Sequence, residues 1–315
     1  MSGIFLSGMG AVSPAGWGMA NLSRAQSPSG MPVPQLLQRP GWAHPLSVLR
    51  VPTTHQRPAW VAHPRMRRSA LISQFAMSAA IEALGDHTHG SLGIVFCTMC
   101  GCVNYSRRFF DEVLRNPTVA SPLLFPETVF NAPASHLSAL LGSTAANYTL
   151  VGDAGVFLHG LALAAGWLAN GRVERCLVIA AEEADWVVAD ALRYFRKSAI
   201  LAEGAGAVLL TRESGANTCA ELECVTDPEP FADQADKSAR TAALQRVVVA
   251  LPPGLAAIEE VTQFSEAFSV GPVWRLLAAI RLAQQNRHGR VTVAVPGAYQ
   301  EAIGASFLIL LPNTK

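Results

Sequence analysis

The sequence predicts a layered α/β fold in which helices cover a largely parallel sheet. Short β-rich runs alternate with helical patterns along the chain, which is typical of this fold class. Half of the 315 residues are hydrophobic, so the chain can build a deep core. The segments GAGAVLLT and IGASFLILL each join a small-residue turn to an apolar strand, and each ends one half of the chain. This similarity predicts an internal duplication.

The pattern places the elements of the first half, residues 1–213, in order. Strands are predicted at Gly3–Gly10, Leu92–Cys97, Asn147–Val151, Arg175–Ala181 and Ala205–Thr211. Helices are predicted at Ser69–Leu84, Asn104–Arg115, Pro133–Leu141, Gly155–Ala169 and Trp186–Phe195. Residues 26–65 are rich in proline and histidine and are expected to be irregular.

A break at Gly215–Asn217 begins the second half, residues 214–315. Its predicted strands are Ala220–Val225, Arg246–Leu251, Val291–Val295 and Ser306–Leu311. Its predicted helices are Gln234–Leu244 and Val270–Gln285. This half has about half the residues of the first, so the second copy of the duplication is shortened, and both halves are expected to form one compact unit.

Charge and composition exclude several classes of protein. The formal net charge of +1 predicts no nucleic-acid binding, and the one local run, Arg65, Arg67 and Arg68, is interpreted as a solvated patch. The beginning of the chain does not resemble a signal peptide, and no apolar run is long enough for a membrane span. Six cysteines without a regular spacing predict reduced thiols. A cytoplasmic location is therefore expected.

The mean hydropathy of +0.26 is high for a soluble monomer. Part of the apolar surface is therefore expected to be covered by another subunit.

The segment NYTLVGDAGVFLHGLALAAG, residues 147–166, predicts a strand, an abrupt small-residue turn and an apolar helix. A residue at such a turn faces free N–H groups and the positive end of the helix dipole, which suits an ionised nucleophile or a developing oxyanion. The register places Ala154 at the tip of the turn. Since a methyl group cannot attack or ionise, the geometry is predicted to remain without its chemistry.

Four segments together resemble the β-ketoacyl synthase family. They are GMGAVSPAGWG, LLFPETVFNAPASHLSALLG, NYTLVGDAG and AEGAGAVLLTRE, and they follow the family's order over residues 1–213. The resemblance implies a thiolase-like αβαβα layered fold with an internal duplication and a shortened second half.

The sequence departs from this family at its catalytic positions. The family's condensing enzymes use a cysteine at the turn after the third of these segments, where this chain has Ala154. They also use two histidines from the second half, but VVVALPPGLAAIEEVTQFSEAFSVG contains none. By resemblance Val261 occupies the position of a family lysine and Glu266 that of a histidine, and His288 lies in a polar turn that does not suit a substitute. No catalytic residue, cofactor or metal is therefore expected.

The family includes a role for such a chain, which is called the chain length factor. A chain length factor is a catalytically silent subunit that pairs with an active ketosynthase, and the pair builds its product on acyl carrier protein. The resemblance implies that Asn147–Val151 pairs with the partner's equivalent strand and that Pro122–Leu140 reaches the partner's acyl tunnel. The implied interface and tunnel residues are Phe125, Phe130, Asn131, His136, Asn147, Tyr148 and Thr149. The short second half resembles aryl-polyene-type partners within polyketide or fatty-acid-type biosynthesis.

Other clusters have a functional and a structural interpretation. CTMCGC, Cys97 to Cys102, with His87 and His89 nearby, has the spacing of a zinc or redox site, but core packing is favoured. Glu182, Glu183 and Asp185 suit acid/base chemistry, but hydrogen bonding at helix starts or at an interface is favoured.

Two single residues are weighed in the same way. Asp153 suits a relocated base, but an N-cap is favoured because aspartate commonly precedes a helix. His159 lies in the apolar helix and is interpreted as a packed, hydrogen-bonded core residue.

Three hypotheses follow for the whole chain. The first is the silent ketosynthase-like subunit. The second is a thiolase-fold enzyme with a relocated active site that uses Asp153, Glu182 or Cys100. The third is a scaffold that only binds acyl carrier protein or stabilises a complex.

Overall fold

The computed structural model describes residues 3–24, 32–39, 41–54, 58–86, 91–233, 235–236, 238–239, 266–287, 289–297 and 301–310. The strands of this part are β1 (Phe5–Ser13), β2 (Gly16–Trp17), β3 (Gln35–Leu37), β4 (Leu46–Leu49), β5 (Leu92–Thr98), β6 (Asn147–Val151), β7 (Arg175–Glu182), β8 (Leu201–Ala202), β9 (Gly204–Thr211), β10 (Ala220–Val225), β11 (Glu229–Pro230), β12 (Arg290–Pro296) and β13 (Glu301–Ile309). The α-helices are α1 (Met19–Arg24), α2 (Leu71–Leu84), α3 (Val103–Arg115), α4 (Ala132–Leu141), α5 (Val156–Ala169), α6 (Trp186–Phe195) and α7 (Val270–Gln285).

The main sheet has the strand order β11-β13-β10-β1-β9-β7-β5-β6, with β12 added on β13 and β2 on β1. Among the described strands of this sheet, only β5 pairs in parallel, with β6 and with β7, and the other pairs are antiparallel. The layered α/β class is confirmed, but the prediction of a largely parallel sheet was wrong. A strand that is buried on both faces is a continuous apolar run whether its neighbours are parallel or antiparallel, so the sequence pattern does not reveal the relative strand direction.

The internal duplication is visible in the strand order. In the first half, β9 lies between β1 and β7, and in the second half β13 lies between β10 and β12. In each half, the last strand of the main sheet, β9 or β13, lies between the first strand of that half and an intermediate strand, β7 or β12. The helix before β7 is α5, and the helix before β12 is α7, so these two helices correspond as well.

Helices lie on both faces of the first-half strands. On one face α2 packs directly on β1, because a Cβ atom at Gly8 or Gly10 would lie within 2.0 Å of the carbonyl oxygen of Ala83 or Ala79. On the other face α5 and α7 contribute to a core cluster that also contains β12 and β13 residues. The indole of Trp274 in α7 joins the layers, because its Nε1 donates to the carbonyl oxygen of Ala205 at 2.9 Å.

Some predicted boundaries need correction. The first strand is Phe5–Ser13 instead of Gly3–Gly10, and the last is Glu301–Ile309 instead of Ser306–Leu311. The small residues at the beginning of β13 are held by pairing with β12, which periodicity does not reveal. Residues 26–65, expected to be irregular, contain β3 and β4, which form a small sheet with β8.

Two predicted elements cannot be compared with the structure. The predicted strand at 246–251 lies outside the described residues, and so does most of the predicted helix at 234–244. Within the described part of the chain, no helix combines the length and the apolar character that crossing a membrane requires.

Candidate functional site

The turn between β6 and α5 has the predicted strand-turn-helix shape. The N–H of Gly152 donates to the carbonyl oxygen of Thr98 at 3.1 Å, which fixes the end of β6 on β5. The N–H of Val156 donates to the carbonyl oxygen of Asp153 at 3.1 Å and closes the turn. Ala154 lies within it, half-buried, with its methyl group against the core. We call residues 152–155 the elbow.

The side chain of Asp153 stabilises the elbow. Its carboxylate accepts the N–H of Gly155 at 3.1 Å, so Asp153 caps the turn, although the N-cap residue of α5 itself is Gly155. A Cβ atom at Gly297 would lie 2.6 Å from Oδ2 of Asp153, so the backbone of the second half packs directly on this carboxylate. The prediction that Asp153 is the N-cap of α5 was wrong, because Gly155 holds that position, and the carboxylate of Asp153 instead accepts a hydrogen bond within the turn.

Glu266 holds backbone and ion-pair contacts at the position where the resemblance implies a histidine. Its N–H donates to the carbonyl oxygen of Ile200 at 3.0 Å, and its side chain pairs with the guanidinium of Arg196. The same carboxylate accepts the N–H of Phe268 at 3.0 Å, just before α7. A carboxylate in these contacts fastens the chain and cannot donate a hydrogen bond. Val261 and His288 lie outside the described residues.

Glu182 is buried at the end of β7 with 1% of its surface exposed. Its carboxylate accepts hydrogen bonds from the N–H groups of Met99 and Cys100, at 2.6 and 3.1 Å. It also accepts from the hydroxyls of Thr98 and Ser269, at 3.3 and 2.6 Å. Because Ser269 immediately precedes α7, Glu182 joins the two halves of the chain.

Glu183 and Asp185 hold the starts of three helices. Glu183 accepts the N–H of Ile72 in α2 at 3.3 Å and that of Asn104 in α3 at 2.8 Å. Asp185 is the N-cap of α6, where its carboxylate accepts the N–H of Val187 at 3.0 Å. The interpretation of the EEAD segment as helix-start hydrogen bonding is confirmed by these contacts.

Burial raises the pKa of Glu182 and of Glu183 to about 7, although the hydrogen bonds that each accepts act in the opposite direction. A shifted pKa is common in active sites, but it also marks structural networks. Both side chains are buried; Glu182 accepts from main-chain and hydroxyl donors and Glu183 from main-chain N–H groups, which is typical of the second class.

The cysteines of the CTMCGC segment are packed. Cys97 and Cys102 are buried, and Cys100 is half-buried. Burial raises the thiol pKa of all three, and the carboxylates of Glu182, Glu183 and Glu266 raise that of Cys100 further. A relocated thiolate nucleophile at Cys100 is therefore disfavoured. No group of three or more metal-ligand side chains occurs among the described residues, which do not include His87 and His89.

A comparison with models of protein families shows which family this chain belongs to. Residues 42–267 match the model of the β-ketoacyl synthase N-terminal domain. The chain belongs to the β-ketoacyl synthase family. The sequence has no significant match among curated proteins.

Solved structures of β-ketoacyl synthases share the fold over nearly the full chain. "The ishigamide ketosynthase/chain length factor" superimposes with a TM-score of 0.75 at 18% identity, covering 98% of this chain and 99% of that one. A β-ketoacyl synthase from Burkholderia phymatum STM815 gives 0.74 at 14% identity, covering 98% and 99%. The ketosynthase ApeO in complex with its chain length factor ApeC, from Xenorhabdus doucetiae, gives 0.59 at 15% identity, covering 96% and 98%. The thiolase-like fold is thereby confirmed.

The implied interface residues of this β-ketoacyl synthase family member gather around β6 and α4. The amide of Asn147 donates to the carbonyl oxygen of Ala134 at 3.0 Å and to Oγ of Ser138 at 2.6 Å, so β6 is fastened to α4. Tyr148 is 55% exposed, whereas Thr149 is half-buried and pairs with β5. Asn131 is exposed at the N-cap of α4.

The three bulky residues of the implied tunnel segment, Phe125, Phe130 and His136, differ in their surroundings. His136 is tied down, because its Nε2 lies 2.9 Å from the carboxylate oxygens of Glu127. Phe125 is 56% exposed, and Phe130 is 43% exposed. The ring of Phe130 lies on the backbone of Gly101, where a Cβ atom would be 2.5 Å from the ring.

Several further apolar side chains that the sequence did not predict to be exposed lie on α3, on the segment that follows it and on β6. We use the name apolar face for the exposed apolar side chains of α3, the segment 116–131 and β6, which are Phe110, Leu114, Val119, Leu123, Phe125, Val129, Phe130, Tyr148 and Val151. The four-residue spacing of Phe110 and Leu114 on α3 was a signal of one apolar helix side. None of the α3 residues is buried, so that side faces outward.

The structure corrects the interpretation of His159. Its side chain is 36% exposed, and its Nε2 lies 2.5 Å from Oε1 of Glu301 on β13. His159 is hydrogen-bonded as expected, but it is half-buried and belongs to the contact between the halves.

Proposed function

We propose that this chain is a catalytically silent ketosynthase-like subunit, a chain length factor, that forms a heterodimer with an active β-ketoacyl synthase. In this role it shapes the tunnel for an acyl chain carried by acyl carrier protein, in polyketide, polyene or fatty-acid-type biosynthesis. The observation that carries the proposal is the methyl group of Ala154 at the tip of a preserved elbow.

The chemistry of the site supports catalytic silence. Decarboxylative condensation needs a thiolate that takes the acyl group and donors that stabilise the developing negative charge. Ala154 supplies no thiolate, and the carboxylate of Glu266 pairs with Arg196 instead of donating. Because such residues act as a unit, the backbone alone retains little of the rate enhancement.

The edge of the main sheet supports the heterodimer. Among the described strands, β6 is the last strand of the main sheet beyond β5, so one side is open to further pairing. Tyr148 and Val151, which belong to the apolar face, are 55% and 56% exposed on this strand. An apolar face beside an open strand fits a partner of the same fold. Two solved relatives are named as ketosynthase and chain length factor assemblies.

The tunnel role falls to Phe125 and Phe130, both exposed on the apolar face. Gly101 leaves room for the ring of Phe130 on its backbone, so the ring is positioned but not buried. His136 supports the segment from within through Glu127. We assign the complex to the cytoplasm, which suits the six cysteines, all of which lie in the described part of the chain and are unpaired.

Coexpression tests this function. The chain is produced with a β-ketoacyl synthase from the same genome that retains the elbow cysteine and both histidines. We expect one complex on size exclusion, lost in Tyr148→Asp because a charge is placed in the apolar contact. Val33→Asp is the matched control, since Val33 is 82% exposed and lies outside the apolar face. Turnover of acyl carrier protein substrates by the purified single chain would overturn the proposal.

A further inference from the structure

A cleft with a volume of about 590 Å³ lies between α2 and residues from 50–54 and 58–67. It is within the size range of small-molecule sites. It contains neither the elbow nor any residue of the apolar face. Trp17 and Trp60 line it, and Phe75 and Met66, each 2% exposed, lie beneath.

The aromatic lining is held in place before any ligand binds. The indole Nε1 of Trp17 donates to the carbonyl oxygen of Pro52 at 2.8 Å. The ring of Trp17 also packs edge-on against Phe75, with centroids 5.7 Å apart. A rigid indole offers a large apolar surface at little cost in conformational entropy, so this part of the cleft suits an apolar ligand body.

The charged side chains of the cleft differ in how they are paired. Glu203 is 2% exposed and pairs with Arg50, whose Nη1 lies 3.1 Å from Oε2. Glu203 also accepts the N–H groups of Val51 and Ala184, at 3.2 and 3.0 Å, so this pair is internally satisfied. Arg67 lines the same cleft, is exposed, and has no ion pair with a carboxylate in the described part of the chain. Among the described residues that line the cleft, two arginines and one glutamate give a positive balance of charge beside an apolar surface.

We propose that this cleft binds a small amphipathic carboxylate, with an aliphatic or aryl body against Trp17 and Trp60 and the carboxylate on the guanidinium of Arg67. A guanidinium binds a carboxylate through charge-assisted hydrogen bonds, which a neutral alcohol does not match. The inference does not depend on the proposed pairing with a ketosynthase, because it uses a different part of the surface.

Titration with decanoate tests the proposal, with decanol and decylamine as neutral and cationic probes of equal length. The readouts are intrinsic tryptophan fluorescence, because two tryptophans line the cleft, and isothermal titration calorimetry. We expect decanoate to bind roughly tenfold more tightly than decanol, as one charge-assisted contact provides, and decylamine to bind more weakly than both. Equal affinity for all three probes in the unmodified protein would overturn the proposal, whatever the variants show.

Two variants assign the contacts. Arg67→Gln is expected to remove the preference for decanoate over decanol while the affinity for decanol stays the same. Trp60→Ala is expected to weaken both by roughly tenfold, as the loss of a large apolar contact predicts. Arg68→Gln is the matched control, since Arg68 is exposed but does not line the cleft. An Arg68→Gln effect as large as that of Arg67→Gln would contradict the site.

Discussion

The elbow and the EEAD segment 182–185, which we call the acidic turn, both contact Thr98 but have opposite properties. The carbonyl oxygen of Thr98 accepts the N–H of Gly152 in the elbow, and the hydroxyl of Thr98 donates to Glu182 in the acidic turn. The elbow is a strand-turn-helix junction that carries the methyl group of Ala154. In the acidic turn the pKa values of Glu182 and Glu183 are raised, but both carboxyls are buried and accept hydrogen bonds. A shifted pKa alone therefore does not identify an active site.

The largest expected effect on stability comes from removing the carboxylate of Glu182 in the acidic turn. Glu182→Ala leaves the N–H groups of Met99 and Cys100, which are half-buried residues, and the buried hydroxyl of Ser269 without their acceptor. We expect the free energy of unfolding to fall by about 3–5 kcal/mol, measured by urea denaturation. Glu213→Ala, at an exposed position, is the control and is expected to change it by less than about 0.5 kcal/mol. A small effect of Glu182→Ala would mean that the acidic turn is not structural.

The pH dependence of stability sharpens the same comparison. The pKa of Glu182 is raised from 4.5 to about 7 by burial, so the folded state binds the proton more tightly than the unfolded state. This contribution to stability is complete below pH 4.5 and is lost as the pH rises through about 7. Between pH 5 and pH 8, wild type should lose on the order of 1–3 kcal/mol more than Glu182→Gln, which lacks this titration.

Urea unfolding at both pH values measures this difference. Subtracting the variant from the wild type removes the contributions of the other titrating groups. A wild type that gains stability relative to Glu182→Gln over this interval would show that the carboxyl is not protonated in the folded state.

Restoring a thiol to the elbow tests its geometry. In Ala154→Cys the new thiol lies at the start of α5, where the helix dipole favours the thiolate, whereas the pKa of Cys100 is raised by burial and by nearby carboxylates. We expect iodoacetamide to modify the introduced elbow thiol at least about tenfold faster than Cys100, quantified by peptide mass spectrometry. Equal rates at the two thiols would show that the elbow no longer favours an ionised nucleophile.

The smallest expected effect on stability is that of Phe130→Ala. Because the ring is 43% exposed, the free energy of unfolding should change by less than about 1.5 kcal/mol. In the complex with a ketosynthase, the product should lengthen by one or two extension units because the acyl chain gains room. Val119→Ala, also on the apolar face and 72% exposed, should leave product length the same. An unchanged product of Phe130→Ala would remove this residue from the tunnel.

Local patterns predicted the elements around the elbow well. The bounds of β6 agree with the prediction, and α5 begins within one residue of it, because an apolar strand, a small-residue turn and an apolar helix follow each other directly. The direction of β9 relative to β1 and β7 was not predictable, since it depends on partners far away in the chain. The outward side of α3 also required the structure, because an apolar stripe is the same whether it faces a core or a partner.

The contacts of the candidate site were partly predictable. Aspartate and glutamate before helices indicated capping, and Asp185 does cap α6. The joining of Glu182 to Ser269 and of His159 to Glu301 links residues that are 87 and 142 positions apart, and no local signal carries such a pairing.

Intact-mass spectrometry of the purified complex, after incubation with acyl carrier protein that carries an acyl thioester, tests the central claim most directly. Our account predicts that the acyl mass is found only on the partner ketosynthase and never on this chain, because Ala154 offers no nucleophile at the elbow. A covalent acyl adduct on this chain, mapped to any of its residues, would contradict the account.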